Sequence, residues 1–308
     1  MSQSRPRVLY ITGDARSGST ILGALLGSQP GIVATGELNM LLLDDTGAPR
    51  VCACGLTIED CPLWGQVLRR WSAGLEPRGP VDYLRLQSRF EHFRRLPGLM
   101  WHSIRHSASF EDYTRWTAAL LRAIAESASA QIVADSAKNP VRALAFLRGG
   151  AIDLALVHLI RDPRGVAWSK RKLLRWRRLP NWLRNPVAVV LRAGLDWAFA
   201  NMFTELVASR HRNVPYVRIR YEDLVRDPAG VLARVGQVAG IDLATLGERA
   251  AGGEVLGFGH IMAGNLARGR GARPLAIDVD WQENSPRWIR WTIWFLTGWL
   301  ARRYGYLR

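Results

Sequence analysis

Hydrophobic positions along this 308-residue chain follow two patterns. Short apolar runs of β type occur at Arg7–Thr12, Gln131–Asp135, Leu154–Ile160 and Tyr216–Arg220, and long stretches of helical periodicity separate them. Strands alternating with helices imply crossover connections and a parallel sheet. In such a sheet the groups that carry chemistry collect beyond the C-terminal strand ends. Between Pro49 and Thr114 the pattern is helical but irregular, broken by Pro and Gly, and reads as a helical insertion covering an acceptor site. Trp288–Leu300 reads as a Trp-rich helix interrupted by Arg290; its Trp288–Phe295 part fits an interfacial membrane surface, but a core helix packed on the sheet is the preferred reading. The fold class expected is therefore α/β, a P-loop-like parallel sheet flanked by helices, in one domain over residues 1–308.

The first strand runs straight into Gly13-Asp14-Ala15-Arg16-Ser17-Gly18-Ser19-Thr20, and a helix-like segment, Ile21–Leu26, follows at once. A strand, a small-residue loop and a helix N-terminus form a cradle for phosphate or sulfate, because loop N–H groups and the helix dipole point at the anion. The loop approaches a Walker A pattern and departs from it in one place. Gly13, Gly18 and Thr20 have the required spacing, but Ser19 stands where the lysine belongs and the basic residue moves back to Arg16. Such a loop suits a phosphate-like group without ordinary nucleoside triphosphate chemistry. A tight βα turn with no ligand is the competing reading.

A second anion motif lies at His158–Lys172. Its strand ends at Arg161, Pro163 suits the first turn of a helix, and Ser169 sits two turns in, so Arg161 and Ser169 can share one anion. A solvated basic helix start accounts for Lys170, Arg171 and Lys172 but not for an arginine at a strand end.

Composition narrows the partner. The net charge is +16, which favours an anion: a polyanionic cofactor, nucleic acid or an acidic membrane surface. No export signal opens the chain and no uninterrupted apolar stretch reaches spanning length, so a cytoplasmic location is expected. Basic residues interleaved with Trp and Leu at 172–184 fit either an interfacial surface at the inner membrane face or an ordinary solvated segment. Cys52, Cys54 and Cys61 are odd in number, which argues against a disulfide scaffold. A structural zinc site needs four ligands, and His92, His102 and His106 are remote in sequence, so buried or merely structural thiols are the expectation, with a redox-sensitive pair as the unsupported alternative.

Two anion sites on one sheet, neither with a Walker lysine, suit a nucleotide with two separated anionic groups. At this point the sequence resembles the sulfotransferases that use 3′-phosphoadenosine 5′-phosphosulfate (PAPS). Arg16–Thr20 resembles their 5′-phosphosulfate loop. Arg161 to Ser169 resembles their 3′-phosphate motif. Ile219–Leu224 resembles the element whose tyrosine, here Tyr221, meets the adenine region. His260–Arg268, Trp281 and Tyr304-Gly305-Tyr306 resemble the C-terminal end of bacterial members. The resemblance covers nearly the whole chain in the expected order.

It implies a donor site of Ala15, Arg16, Ser17, Gly18, Ser19, Thr20, Arg161, Ser169 and Tyr221, with Arg268 and Arg270 closing over the 3′-phosphate. Charge builds on the bridging oxygen during sulfuryl transfer, and loop N–H groups, Arg16 and Thr20 are placed to meet it. An acceptor hydroxyl needs a base. By resemblance to the protein-tyrosine and bacterial branches, that base is Glu37, in Gly36-Glu37, while Lys138, in Asp135-Ser136-Ala137-Lys138, stabilises the transferring group or the leaving oxygen. Ser136 would line the acceptor pocket. The scheme requires no metal. The acceptor implied is a small molecule, a lipid-linked compound or a carbohydrate; nucleic acid is not an expected partner. Two alternatives remain at this stage: a P-loop phosphotransferase, against which the missing lysine counts, and a non-catalytic nucleic-acid or membrane binder, against which the ordered motifs count.

Overall fold

A computed structural model describes residues 4–42, 50–75, 78–175, 185–254, 257–262 and 275–307. Strand β1 (Arg7–Thr12) leads to helix α1 (Ser19–Gly27) and strand β2 (Ile32–Gly36). Four helices follow: α2 (Pro62–Ala73), α3 (Pro80–Phe90), α4 (Leu96–Ile104) and α5 (Ala108–Ser127). The chain then alternates through β3 (Ile132–Lys138), α6 (Pro140–Gly149), β4 (Asp153–Ile160), α7 (Pro163–Arg175), α8 (Pro186–Arg210) and β5 (Tyr216–Arg220). It ends in helices α9 (Tyr221–Arg226), α10 (Pro228–Ala239), α11 (Ala244–Ala251), α12 (Asp280–Asn284) and α13 (Arg287–Arg303).

All strand pairings are parallel, in the order β2-β3-β1-β4-β5. Both faces of the sheet are covered, and alternate residues of β1 serve opposite layers. Val8 and Tyr10 pack with the helices of residues 62–127 and with Phe146. Leu9 and Ile11 pack with Leu22, Leu25 and Leu26 of α1 and with Leu232 and Val235 of α10. A strand flanked on both sides by helices must be apolar at every position, which is why Val8–Ile11 shows no polar alternation.

The four strands expected from the sequence are present, with β3 running on to Lys138. β2 is the strand that sequence patterning misses. It is five residues long, contains Ala34, Thr35 and Gly36, and occupies the sheet edge beside β3. Glu37 therefore stands at the end of a strand and opens a short 3₁₀ turn, Leu38–Met40.

The expected insertion is helical. Its Trp64, Trp71, Tyr83, Phe90 and Tyr113 join Tyr10 in one continuous core. Helix α13 is two-faced. Ile289, Ile293, Trp294 and Leu300 are buried, while Trp291, Phe295 and Trp299 are exposed. It packs mainly on α7 and α8, not on the sheet as a core helix would, because those two helices lie between it and most of the strands. No helix among the described residues is long and apolar enough to cross a membrane. Residues 176–184, most of the basic Trp-rich stretch, lie outside the described residues.

Candidate active site

The chain leaves β1 toward β2 on one side of the sheet, and β4 is added on the other side. The crevice beyond β1 and β4 is therefore the switch point at which open α/β sheets place their ligands. Thr12 pairs with His158, and Gly13 and Arg161 emerge from neighbouring strand ends.

Two glycines shape the loop. Gly13 has φ +133°, and a Cβ there would lie 2.3 Å from the Leu159 carbonyl oxygen. Gly18 caps α1 with φ +95°, and a Cβ there would lie 2.5 Å from Cδ2 of Tyr221. The Tyr221 ring thus closes on the loop backbone, and its hydroxyl donates to the Ala276 carbonyl at 2.9 Å. Helix α1 has no side-chain cap and no acidic residue in its first turn, so its positive end faces the loop uncompensated by a carboxylate. Ser17 is buried, and its Oγ has no hydrogen-bond partner. An orphaned hydroxyl in a dipole-lined loop can donate to an anion.

Arg16 adopts φ +72°, uncommon for a side-chain-bearing residue. Its Nε donates to Ser169 Oγ at 2.8 Å. Arg161 donates from Nη1 to the Arg16 carbonyl at 3.0 Å and from Nη2 to Asp278 at 2.7 Å, and lies over the Tyr221 ring. Burial, and then the charge of Arg161, push the Arg16 guanidinium below its ordinary value, while Asp278 and Glu37 oppose the shift. Arg161 and Ser169 both converge on Arg16, tying the two sequence motifs into one basic site. Ser19 is buried in the first turn of α1 beside Thr20, and Ala15 is exposed at the loop's outer edge.

Across the β2 and β3 ends, Lys138 Nζ lies 2.6 Å from Glu37 Oε1. Lys138 has φ +65°, so two of the four described non-glycine residues in left-handed backbone are cations of this site. The turn that holds Lys138 is anchored from beneath. Asp135 accepts from the Ala137 N–H at 2.9 Å, and Asn139 caps α6. Arg142, fully buried, bridges Asp135 at 3.3 Å and Glu91. Burial holds the carboxyls of Asp135 and Glu91 above their ordinary range, and the charge of Arg142 offsets only part of that shift. Ser136 is buried against α1, its Oγ 3.9 Å from where a Cβ on Gly23 would lie.

Several participants carried no sequence signal. Asp278, which pairs with Arg161, and Ala276, which receives the Tyr221 hydroxyl, come from an irregular segment before α12. Lys170 is no solvated helix-start lysine: its side chain is largely buried and pairs with Asp14 at 2.7 Å, because burial of Asp14 at the loop base demands a cation. Lys172 pairs with Asp280. Arg268 and Arg270 lie outside the described residues. Cys52, Cys54 and Cys61 meet one another and His260, whereas His102 bonds to Arg89 and Ser107.

The fold has solved counterparts. The sulfotransferase domain from the Synechococcus PCC 7002 olefin synthase superposes with a TM-score of 0.53 at 19% identity, over 100% of this chain and 98% of that one. Sulfotransferase STF9 from Mycobacterium avium gives a TM-score of 0.53 at 15% identity, over 98% of this chain and 77% of that one. No curated protein matches the sequence significantly. The model of the sulfotransferase family matches residues 7–245, a span that contains the loop, Glu37, Lys138, Arg161, Ser169 and Tyr221. The chain belongs to the sulfotransferase family.

Proposed function

We propose that this sulfotransferase takes its sulfuryl group from PAPS and delivers it to a hydroxyl or amine of a small-molecule, lipid-linked or carbohydrate acceptor, with Glu37 as the base. One observation carries the reading. A buried, unpartnered Ser17 hydroxyl sits in a glycine-bounded loop at an uncapped helix N-terminus, beside two arginines and without a Walker lysine. That donor set fits a phosphosulfate better than a metal-bound triphosphate, whose chemistry depends on the missing lysine.

The chain's own groups divide the work. Ala15–Thr20 and the N-terminus of α1 hold the 5′ anion. Arg161 and Ser169 supply the 3′-phosphate contacts, and Tyr221 packs at the adenine side. Bound PAPS supplies an activated sulfuryl group on a phosphate leaving group. Glu37 removes the acceptor proton, while Lys138 and Arg16 meet the negative charge that develops between sulfur and the bridging oxygen. The ion pair between Glu37 and Lys138 keeps base and cation on one side of the reacting group.

Calorimetric titration with adenosine 3′,5′-bisphosphate, ADP and ATP, each with and without Mg²⁺, tests the donor. Tight, metal-independent binding of the bisphosphate alone is expected. A preference for ATP with Mg²⁺ would replace this reading with a phosphotransferase.

A further inference from the structure

Cys52, Cys54, Cys61 and His260 bring one potential ligand atom each to within 4.8 Å of one another. They come from two distant stretches. Cys52 and Cys54 sit on a tight turn in which Cys52 N–H donates to the Leu56 carbonyl and Gly55, at φ +91°, donates to the Cys52 carbonyl. Cys61 immediately precedes α2, and its side chain makes no capping bond to the helix. His260 arrives from the far end of the chain, and its own carbonyl receives the Trp64 indole N–H at 2.7 Å.

We infer that these four residues form a structural zinc site that pins residues 257–262 to the segment 50–64 and, through it, to the strand end that carries Glu37. Separations support the assignment. Cys54 Sγ lies 3.8 Å from Cys61 Sγ, and His260 Nδ1 lies 3.7 Å from Cys52 Sγ and 3.2 Å from Cys61 Sγ. Ordinary Zn–S and Zn–N bonds in a tetrahedron give edges of about 3.8 Å between sulfurs and about 3.6 Å between sulfur and nitrogen. A disulfide would need sulfurs about 2.05 Å apart. Three thiolates and an imidazole match zinc in ligand softness and in geometry, and four protein ligands close the coordination sphere, so the ion is structural and holds no water for chemistry.

The site has a mechanical consequence. Ala53 N–H donates to the Ile261 carbonyl at 3.1 Å, Met262 N–H donates to the Thr35 carbonyl at 2.9 Å, and Glu37 N–H donates to the Met262 carbonyl at 3.2 Å. The 257–262 segment is thus a short parallel addition to the outer edge of β2, bridging at Gly36. It has no helix or long strand of its own, and a metal bond at His260 supplies the anchor that its few hydrogen bonds lack.

The test measures metal directly. Purified wild-type protein is expected to hold about one zinc per chain by mass spectrometric metal analysis. After chelation and reduction, titration with cobalt(II) is expected to produce the intense visible absorption of tetrahedral thiolate coordination at one equivalent. Cys54→Ser, at the exposed ligand, and His260→Ala should each lower zinc affinity by about tenfold or more. Reduced wild-type protein that holds no zinc and gives no cobalt absorption would overturn the proposal, without any variant needing to fold. So would isolation of the native chain with a Cys54–Cys61 disulfide. Neither outcome bears on the donor, which the nucleotide titration tests separately.

Discussion

Lys138 Nζ lies 2.6 Å from Glu37 Oε1 and joins the C-terminal ends of two adjacent strands. The two residues are 101 positions apart in sequence, and the pairing of β2 with β3, together with the left-handed backbone at Lys138, brings them together. Glu37→Gln should lower kcat by about 10²- to 10⁴-fold, the range for a lost general base, while binding of adenosine 3′,5′-bisphosphate stays intact. Full turnover by that variant would remove Glu37 from the mechanism. Lys138→Met should also lower kcat, and the double variant should fall by less than the product of the two single effects, because each single change already breaks the pair.

Arg161 holds the loop carbonyl of Arg16 with one nitrogen and Asp278 with another. Replacing it by Ala should weaken the 3′-phosphorylated nucleotide by about 10- to 100-fold, the magnitude of hydrogen bonds to a charged group, and should weaken its counterpart without the 3′-phosphate much less. Parallel calorimetry on the two nucleotides decides the matter. Equal losses would mean that Arg161 only braces the loop.

Gly18 has no room for a side chain. A Cβ would meet the Tyr221 ring at 2.5 Å, and the backbone is left-handed there. Gly18→Ala should cost about 1–3 kcal/mol of stability from backbone strain, and pushing Tyr221 aside should reduce nucleotide affinity as well. Tyr221→Ala in the same background should restore part of the stability by removing the clash. Thermal melts of the three variants measure this.

The buried bridge of Arg142 to Asp135 and Glu91 supports the turn that presents Lys138. Arg142→Met leaves two buried carboxyls without a cation. It should destabilise the fold by about 3–5 kcal/mol, as for other buried pairs that lose one partner. Adding Glu91→Gln should recover part of that loss, since one of the two orphaned charges is then gone. Urea unfolding midpoints report both effects.

His158 is buried between the Tyr216 hydroxyl at 2.9 Å and Asn201 Oδ1 at 2.8 Å. Burial pushes its pKa from 6.5 down to about 4; the Asn201 bond resists the shift and the charge of Arg218 adds to it. The folded value lies below the unfolded one, so only the unfolded chain takes up this proton between about pH 6.5 and about pH 4. Stability from this residue is complete above that window and falls as pH drops through it, by up to about 1.4 kcal/mol per unit. His158→Gln should flatten that part of the curve. An unchanged slope in denaturant titrations from neutral pH downward would assign the acid sensitivity to other groups.

Much of the architecture was legible from local pattern. β1 and β4 announce themselves as largely apolar runs because strands buried on both faces tolerate no polar alternation, β3 begins the same way and turns polar from Asp135 onward, and β5, at the sheet edge, alternates buried Val217 and Ile219 with exposed Arg218. The anion loop was legible because Gly13 and Gly18 each occupy backbone that other residues rarely adopt, and the arginine at the end of β4 because a strand end is a poor place for an unpartnered cation. β2 was not legible: its apolar run is only Ile32, Val33 and Ala34, ended at once by Thr35 and Gly36, and so short a run cannot be told from the turn before it.

The sequence by itself determined most of the elements, β2 excepted, and which residue types stand at their ends, since both follow from contacts over a few residues. The tertiary structure alone decided the partnerships: Glu37 with Lys138, Lys170 with Asp14, Arg161 with Asp278, and His260 with three cysteines some 200 positions away. The sheet order and the course of the C-terminal segment set those pairs. Neither leaves a periodic trace in the chain, because contacts between distant residues depend on how whole layers pack and not on the local spacing of side chains.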